Sequence, residues 1–190
     1  MVPRTRYILF GTIALVGLLA DLATKAWFFS SPDLYGGRVA WLWPGHVGIQ
    51  LSWNRGALFG FGQGGTWLFA TFSVLAAGGI LVWLFGYRAA CDKWTTVALA
   101  CVMAGILGNL YDRLGLPDAL WPGRVVDVGQ PSHAVRDWIL VQWNHRWTWP
   151  NFNIADSLLV VGAATLVLEA LRAPSAKCPS QPNDSDCNAA

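Results

Sequence analysis

The residues that could do chemistry in this chain are carboxylic acids placed in and around apolar segments. Asp156 lies in the stretch WPNFNIADSLLVVG, just before a wholly apolar run. Two aspartates that share a site do not both ionise easily, so one keeps a proton while the other acts as a base toward water. Such a pair hydrolyses an amide without a metal or a cofactor. Asp156 is therefore one candidate for a catalytic dyad. The candidates for its partner are Asp112, Asp118, Asp127 and Asp137.

Other chemistries have weaker support in the sequence. His133 and Asp137 are four residues apart, but no third metal ligand stands at a usable spacing. Cys101 has no histidine nearby in the sequence, and the serines of the apolar segments have no evident base. The cysteines show neither metal-site spacing nor a disulfide framework, and we interpret them as free thiols. They are Cys91, Cys101, Cys178 and Cys187. We expect no metal and no cofactor.

The composition indicates a membrane protein. Apolar residues make up 54% of the 190 residues, charged residues only 13%, and the mean hydropathy is +0.40. A soluble domain with so few charges would be poorly soluble. The 12 tryptophans are typical of side chains at the boundary between bilayer and water. The net charge of +2 is not gathered into a basic stripe, so we expect no binding of nucleic acid.

Four apolar stretches have about the 20-residue length that a helix needs to cross a bilayer. They cover roughly residues 7–29, 66–87, 94–110 and 152–171. The sequence thus predicts an all-α membrane protein with four transmembrane helices. Residues 1–172 form its one domain, and residues 173–190, rich in Pro, Ser and Asn, are predicted to be a disordered tail.

The connections predict an orientation and some further structure. Lys and Arg are denser in the termini and the short connection than in the two long loops, which places both termini in the cytoplasm. The first long loop alternates apolar and other residues from Val47 to Trp53, the pattern of a short extracytoplasmic β element. The second long loop is rich in Trp and is predicted to be an interfacial loop or helix.

This topology brings the polar side chains into one layer near the outer face. They come from the outer half of the first helix, the end of the third, the start of the fourth and the loop before the second. The members of this layer are Asp21, Lys25, Asn54, Asn109, Asp112, Arg113 and Asp156. An ionised side chain at the bilayer centre costs about 3 kcal/mol, so a shared polar layer indicates a site that faces the interior of the bundle.

Structural roles compete with functional ones for these groups. Asp21 and Lys25 are spaced i, i+4 and could simply neutralise each other. Asn153 could cap the fourth helix, with Asp156 completing the cap at its N3 position.

The same holds at the other two segments. Asp112 and Arg113 could anchor a helix end at the lipid headgroups. Asn54 and Gly56 could form a turn rather than contact a substrate.

Five ordered segments resemble the signature blocks of lipoprotein signal peptidase, also called signal peptidase II. They are DLATK (21–25), NRGALFGF (54–61), GNLYDR (108–113), VRDW (135–138) and FNIADS (152–157). The resemblance implies a four-helix aspartyl endopeptidase of the bacterial inner membrane, with its active site near the outer face. Such enzymes cleave a prolipoprotein on the N-terminal side of its diacylglyceryl-modified cysteine. The implied partners are that substrate and membrane lipids, and we expect a monomer.

The resemblance also implies which residues act. The family's second aspartate stands in a V-x-D-aromatic block upstream of F-N-x-A-D. Asp137 precedes Asp156 by 19 residues and is followed by Trp138, whereas Asp127 precedes Asp156 by 29 residues within an insertion and is followed by a predicted turn. Asp137 and Asp156 are thus the implied catalytic pair. The positions implied for substrate binding or support are Asn54, Gly56, Asn109, Asp112, Arg113, Asn153, Asp21 and Lys25.

Two other classes of function remain as alternatives. A small proton or ion carrier would use Asp21, Lys25, Asp112 and Asp156 as a relay. All of these lie on one side, however, and no internal repeat is evident, whereas a carrier is expected to show polar groups near both faces. A non-catalytic membrane assembly protein would tolerate the loss of either aspartate of the proposed pair.

Overall fold

A computed structural model describes residues 2–56, 65–117, 132–144 and 146–172. The predicted tail, the candidate acids Asp118 and Asp127 and most of the insertion lie outside these ranges. Four helices are long and apolar enough to cross a membrane, as the sequence predicted. They are α1 (Arg4–Phe29), α2 (Thr66–Leu81, continued by a π-helical turn at Val82–Gly86), α3 (Lys93–Arg113) and α4 (Ile154–Leu171).

Helix α3 lies at the centre of the bundle and contacts the other three helices. Most of its length is buried, whereas the other helices expose most of their apolar side chains, as surfaces that face lipid do. Its buried face is built from small residues and a few larger apolar ones. These are Ala98, Leu99, Ala100, Met103, Ala104, Gly105 and Ile106. An apolar helix whose side chains are mostly small lets its neighbours approach closely.

Glycines set the close approach of α3 and α4. A Cβ on Gly105 would overlap the carbonyl oxygen of Ala155 and the side chain of Leu159. A Cβ on Gly162 would lie 2.6 Å from the carbonyl oxygen of Ala98. Small residues at such crossings allow the backbone contact that drives helix association in membranes. The start of α4, which carries Asp156, is therefore held directly against α3.

A four-stranded antiparallel sheet caps one end of the bundle in the order β1-β2-β3-β4. Its strands are β1 (Ala40–Trp43), β2 (Val47–Asn54), β3 (Val135–Asn144) and β4 (Trp147–Phe152). The β element predicted in the first long loop is confirmed. The sequence did not predict β3 and β4, because the second loop lacks a clear alternation of apolar and polar residues. β3 pairs with β2 on one side and with β4 on the other, which joins the two long loops into one sheet.

Aromatic contacts attach the sheet to the end of α1. Phe28 lies 4.3 Å from Trp138 of β3, and Phe29 lies 5.0 Å from Trp53 of β2, both measured between ring centroids. The end of α1, the end of α3 and the starts of α2 and α4 all lie at this end of the bundle. The predicted convergence of polar side chains in one layer is therefore a property of the fold.

The interpretation of the cysteines as free thiols is wrong for Cys91. Cys91 is in a disulfide, whereas Cys101 is a free thiol. Cysteine spacing along the chain does not report which sulfurs the fold brings together.

The contact between α3 and α4 yields a first prediction. Gly105→Ala should destabilise the protein by about 1–3 kcal/mol, because the added methyl group overlaps atoms of α4 that have no room to move. Gly78→Ala on α2 is the matched control, since a Cβ there meets nothing within 4 Å. The midpoint of thermal unfolding in detergent measures both. Equal midpoints for the two variants would contradict the close packing of α3 on α4.

Candidate active site

Asp156 belongs to the N-terminal cap of α4. The side-chain oxygen of Asn153 accepts a hydrogen bond from the Asp156 backbone N–H at 2.9 Å, and the Asp156 carboxylate accepts one from the Asn153 N–H at 3.2 Å. This reciprocal capping box satisfies two of the free N–H groups at the helix start. The second carboxylate oxygen of Asp156 accepts from Asn109 Nδ2 on α3 at 2.8 Å. The carboxylate is thus fixed from two directions.

Asp137 lies near the start of β3, beside the end of β2. Only 1% of its surface is exposed. Its two carboxyl oxygens accept hydrogen bonds from Asn153 Nδ2 at 2.6 Å and from Asn54 Nδ2 at 3.2 Å. Asn153 therefore binds both acids, with its side chain on Asp137 and its backbone N–H on Asp156.

The orientations of these amides are set by the backbone. The side-chain oxygen of Asn54 accepts from the backbone N–H of Gly56 at 3.0 Å, which forms the predicted turn. The side-chain oxygen of Asn153 is occupied by the cap of α4. Since each oxygen already has a backbone donor, each amide presents its NH₂ group to Asp137. A flip of either amide would break a backbone hydrogen bond.

Burial and charge favour a proton on this pair of acids. Burial, and next the negative charge of Asp156, raise the pKa of Asp137 to about 8, against the lowering effect of the hydrogen bonds from Asn54 and Asn153. A carboxyl group with that pKa holds a proton at neutral pH. The pair can therefore offer an acid and a base at the same time.

A cluster of four buried charges lies beneath the pair. Lys25 Nζ lies 2.7 Å from Asp21 Oδ2 and 2.9 Å from Asp112 Oδ2. Arg136 binds Asp112 Oδ1 through Nη2 at 2.8 Å and through Nε at 2.9 Å. Two acids and two bases balance, so this cluster is neutral by itself. It also ties α1, α3 and β3 together at the end of the bundle that carries the two acids.

Two contacts connect this charged cluster to the pair. Lys25 Nζ donates to Asn109 Oδ1 at 3.1 Å, which leaves the Asn109 amide NH₂ for Asp156. Asp21 Oδ1 accepts from the backbone N–H of Ala155 at 2.9 Å. Asp21 of α1 thus binds a backbone N–H at the start of α4. That N–H belongs to Ala155, the residue just before Asp156.

Arg113, at the end of α3, lies close enough to the pair to interact with it electrostatically, so it is more than an anchor at the lipid headgroups. Its guanidinium lies 5.5 Å from the ring centre of Phe69 on α2. Its electrostatic attraction is strongest to Asp156, followed by Asp137 and Asp112. A cation in this position complements the single negative charge of a pair that shares one proton.

The structure brings all ten predicted site residues into one connected region; which of them act in catalysis stays a prediction. The structural readings are confirmed for the Asp21–Lys25 ion pair and for the cap formed by Asn153 and Asp156. Sequence analysis missed Arg136. One signal could have found it: of two predicted buried acids, Lys25 pairs with one, so the other needs a second cation.

The comparisons with known protein sequences agree on one family. Residues 13–172 match the family model described as signal peptidase (SPase) II. The lipoprotein signal peptidase of Rhodopirellula baltica is 46% identical over 88% of this chain and 73% of its own length. That of Pseudomonas fluorescens is 36% identical over 83% of this chain and 84% of its own length. A solved bacterial membrane enzyme has the same fold, with a TM-score of 0.69 at 23% identity over 88% of this chain and 94% of that chain.

The charged cluster yields a second prediction. Lys25→Met should lower the free energy of unfolding by about 3–5 kcal/mol, because it leaves two buried acids with one cation. The double variant Lys25→Met/Asp21→Asn restores neutrality and keeps an oxygen for the Ala155 N–H, so it should be more stable than the single variant. Thermal unfolding in detergent compares the three proteins. A double variant no more stable than the single one would exclude charge balance as the reason.

Proposed function

This chain belongs to the signal peptidase II family, whose members are peptidases, and from that premise we propose that it removes the signal peptide of lipid-modified prolipoproteins with Asp137 and Asp156 as its catalytic pair. The cut falls on the N-terminal side of the lipidated cysteine. One observation carries the assignment of the pair. Asn153 donates to Asp137 through its side chain at 2.6 Å and to Asp156 through its backbone at 3.2 Å, so one residue sets the relative position of both acids.

The proposed reaction uses one proton and one water. Asp156 takes a proton from the water, and the resulting hydroxide attacks the carbonyl carbon of the scissile amide. Asp137 donates its proton to the carbonyl oxygen, which gives a neutral tetrahedral diol. Asp156 then protonates the departing amine while Asp137 recovers a proton from the diol, and the C–N bond breaks. The products are a free carboxyl end on the signal peptide and a free amine on the lipidated cysteine.

The surroundings of the pair support a substrate that is part peptide and part membrane anchor. The guanidinium of Arg113 lies near both acids and can hold a peptide carbonyl oxygen beside them. The mostly exposed apolar helices can receive the apolar part of a signal peptide within the bilayer. In this proposal the sheet above the pair faces the lipid-bearing end of the substrate. Neither a metal nor a cofactor is required for this reaction.

The proposal includes a location. We place the enzyme as a monomer in the bacterial inner membrane, with both termini in the cytoplasm and the pair near the outer face. The density of Lys and Arg at the termini and in the short connection supports that orientation. An ion carrier fits less well, because in the described part of the chain the connected buried charges lie at one end of the bundle only.

Removing either acid of the pair gives a third prediction. Asp137→Asn and Asp156→Asn should each reduce cleavage of a lipid-modified prolipoprotein by about a thousandfold or more, since each acid performs a step the other cannot. Asp127→Asn should keep most of the activity. Cleavage is followed by the gel shift of the substrate, with monodispersity in detergent as the check of folding.

Asp33→Asn, in the short 3-10 turn Pro32–Leu34 outside the pair, is the matched control for the charge change. An active Asp156→Asn enzyme would refute the pair. An inactive Asp127→Asn enzyme beside an active Asp137→Asn enzyme would move the second role to Asp127.

The raised pKa of Asp137 gives a fourth prediction. Because the pair needs one proton, kcat/KM should fall as the pH rises through about 8, by about tenfold per pH unit once both acids are ionised. The rate is measured between pH 6 and 10 on one detergent-solubilised preparation, with the activity on return to pH 7 as the test of irreversible loss. A rate that stays constant across about pH 8 would show that the proton on Asp137 is not needed.

A further inference from the structure

A groove between α1 and α3 lies behind the charged cluster. It encloses about 450 Å³, within the range of about 300–1,000 Å³ that is usual for sites of small ligands. It is lined by Leu19, Leu22, Ala23 and Ala26 of α1, by Tyr111 of α3, by Pro117 after the end of α3, and by Arg136 of β3. Arg136 and Asp137 are neighbours on a strand, so their side chains leave opposite faces of the sheet. The groove is therefore separate from the catalytic pair.

Arg136 gives this groove a polar end. Only 5% of its surface is exposed, and its two ion-pair contacts use Nε and Nη2, both toward Asp112 Oδ1. Nη1 takes part in neither of these contacts, and the guanidinium carbon lies 5.8 Å from the ring centre of Phe29. A guanidinium carries five N–H donors, and these two contacts to Asp112 use two of them. The ion pairs connect Asp21 to Lys25, Lys25 to Asp112, and Asp112 to Arg136. Arg136, the last cation of this series, lines the groove.

The rest of the groove is apolar and follows the axis of α1. Residues 19–26 extend about 10 Å along the helix, at about 1.5 Å per residue, from the end that carries the sheet toward the middle of the membrane-spanning segment. Two alanines, Ala23 and Ala26, provide the depression between the larger side chains. The groove thus has a buried cation at the end near the sheet and apolar side chains along the rest of its length.

We propose that this groove binds one anionic phospholipid, with its phosphate at Arg136 and an acyl chain along residues 19–26 of α1. The polarity of the groove matches that of a lipid whose headgroup lies at the membrane surface and whose chain points toward the bilayer centre. The phosphate oxygens accept from guanidinium N–H groups of Arg136 that do not contact Asp112, and a guanidinium is well suited to bind phosphate. The site does not depend on the proposed peptidase activity.

The test is native mass spectrometry of the delipidated full chain in detergent, titrated with phosphatidylglycerol and with diacylglycerol of the same acyl chains. We expect phosphatidylglycerol to bind at least about tenfold more tightly than diacylglycerol, because only the former has a phosphate for Arg136. Ala23→Leu, which fills the groove from an exposed position, should weaken phosphatidylglycerol binding at least about tenfold. Ala164→Leu on the exposed side of α4 is the matched control and should bind like the wild type.

Three results would overturn the site. Ala23→Leu with wild-type affinity for phosphatidylglycerol would show that the lipid binds elsewhere. Equal affinity for the two lipids would show that Arg136 recognises no headgroup. Displacement of the lipid by inorganic phosphate alone would show an anion site without a role for the acyl chain. Arg136→Lys keeps a positive charge beside Asp112 but removes the remaining guanidinium donors. It should therefore abolish the preference for phosphatidylglycerol without abolishing binding of the acyl chain.

Discussion

Charge neutrality inside an apolar bundle is the constraint on which the rest of this structure depends. Asp21, Lys25, Asp112 and Arg136 are buried, and any one of them without its partners would strongly destabilise the fold. Together they balance, and every contact of the cluster outside α1 joins segments that are distant in sequence. The cluster therefore works as a junction. It holds β3 on α3, and through Asp21 it satisfies a backbone N–H at the start of α4.

The two acids of the proposed pair are placed by this junction rather than by contacts with each other. Asp156 is held by the cap of α4, and Asp137 by the amides of Asn54 and Asn153. Each amide is oriented by a backbone N–H, so the donors are fixed before a substrate arrives. Preorganised groups of this kind do not have to rearrange during the reaction. The helix cap and the proposed chemistry would thus use the same carboxylate, and the structural role of Asp156 does not compete with the proposed catalytic one.

Much of this could be predicted from the sequence because membranes restrict structure strongly. Length and hydropathy were enough for the four helices, and the topology that follows from them brings Asp21, Lys25, Asn109, Asp112 and Asp156 to one end. Strands β3 and β4 could not be predicted, because β2, which pairs with β3, lies more than 80 residues earlier and because the residues of β3 and β4 do not alternate clearly. The choice of Asp137 rested on a resemblance to known signature blocks, since spacing alone left four acids open. Arg136 was missed because a basic residue in a predicted interfacial loop usually faces water.

The most direct test of the shared proton is an infrared difference measurement between the wild type and Asp137→Asn across the pH range 5 to 10. Because the charged cluster is neutral by itself, we expect the pair to hold one proton, which leaves the single negative charge that Arg113 complements. We expect one protonated carboxyl band that is present in the wild type at neutral pH, disappears as the pH rises through about 8, and is absent from Asp137→Asn. Identical carboxyl bands in the two proteins at neutral pH would mean that Asp137 carries no proton there, which would contradict the central claim.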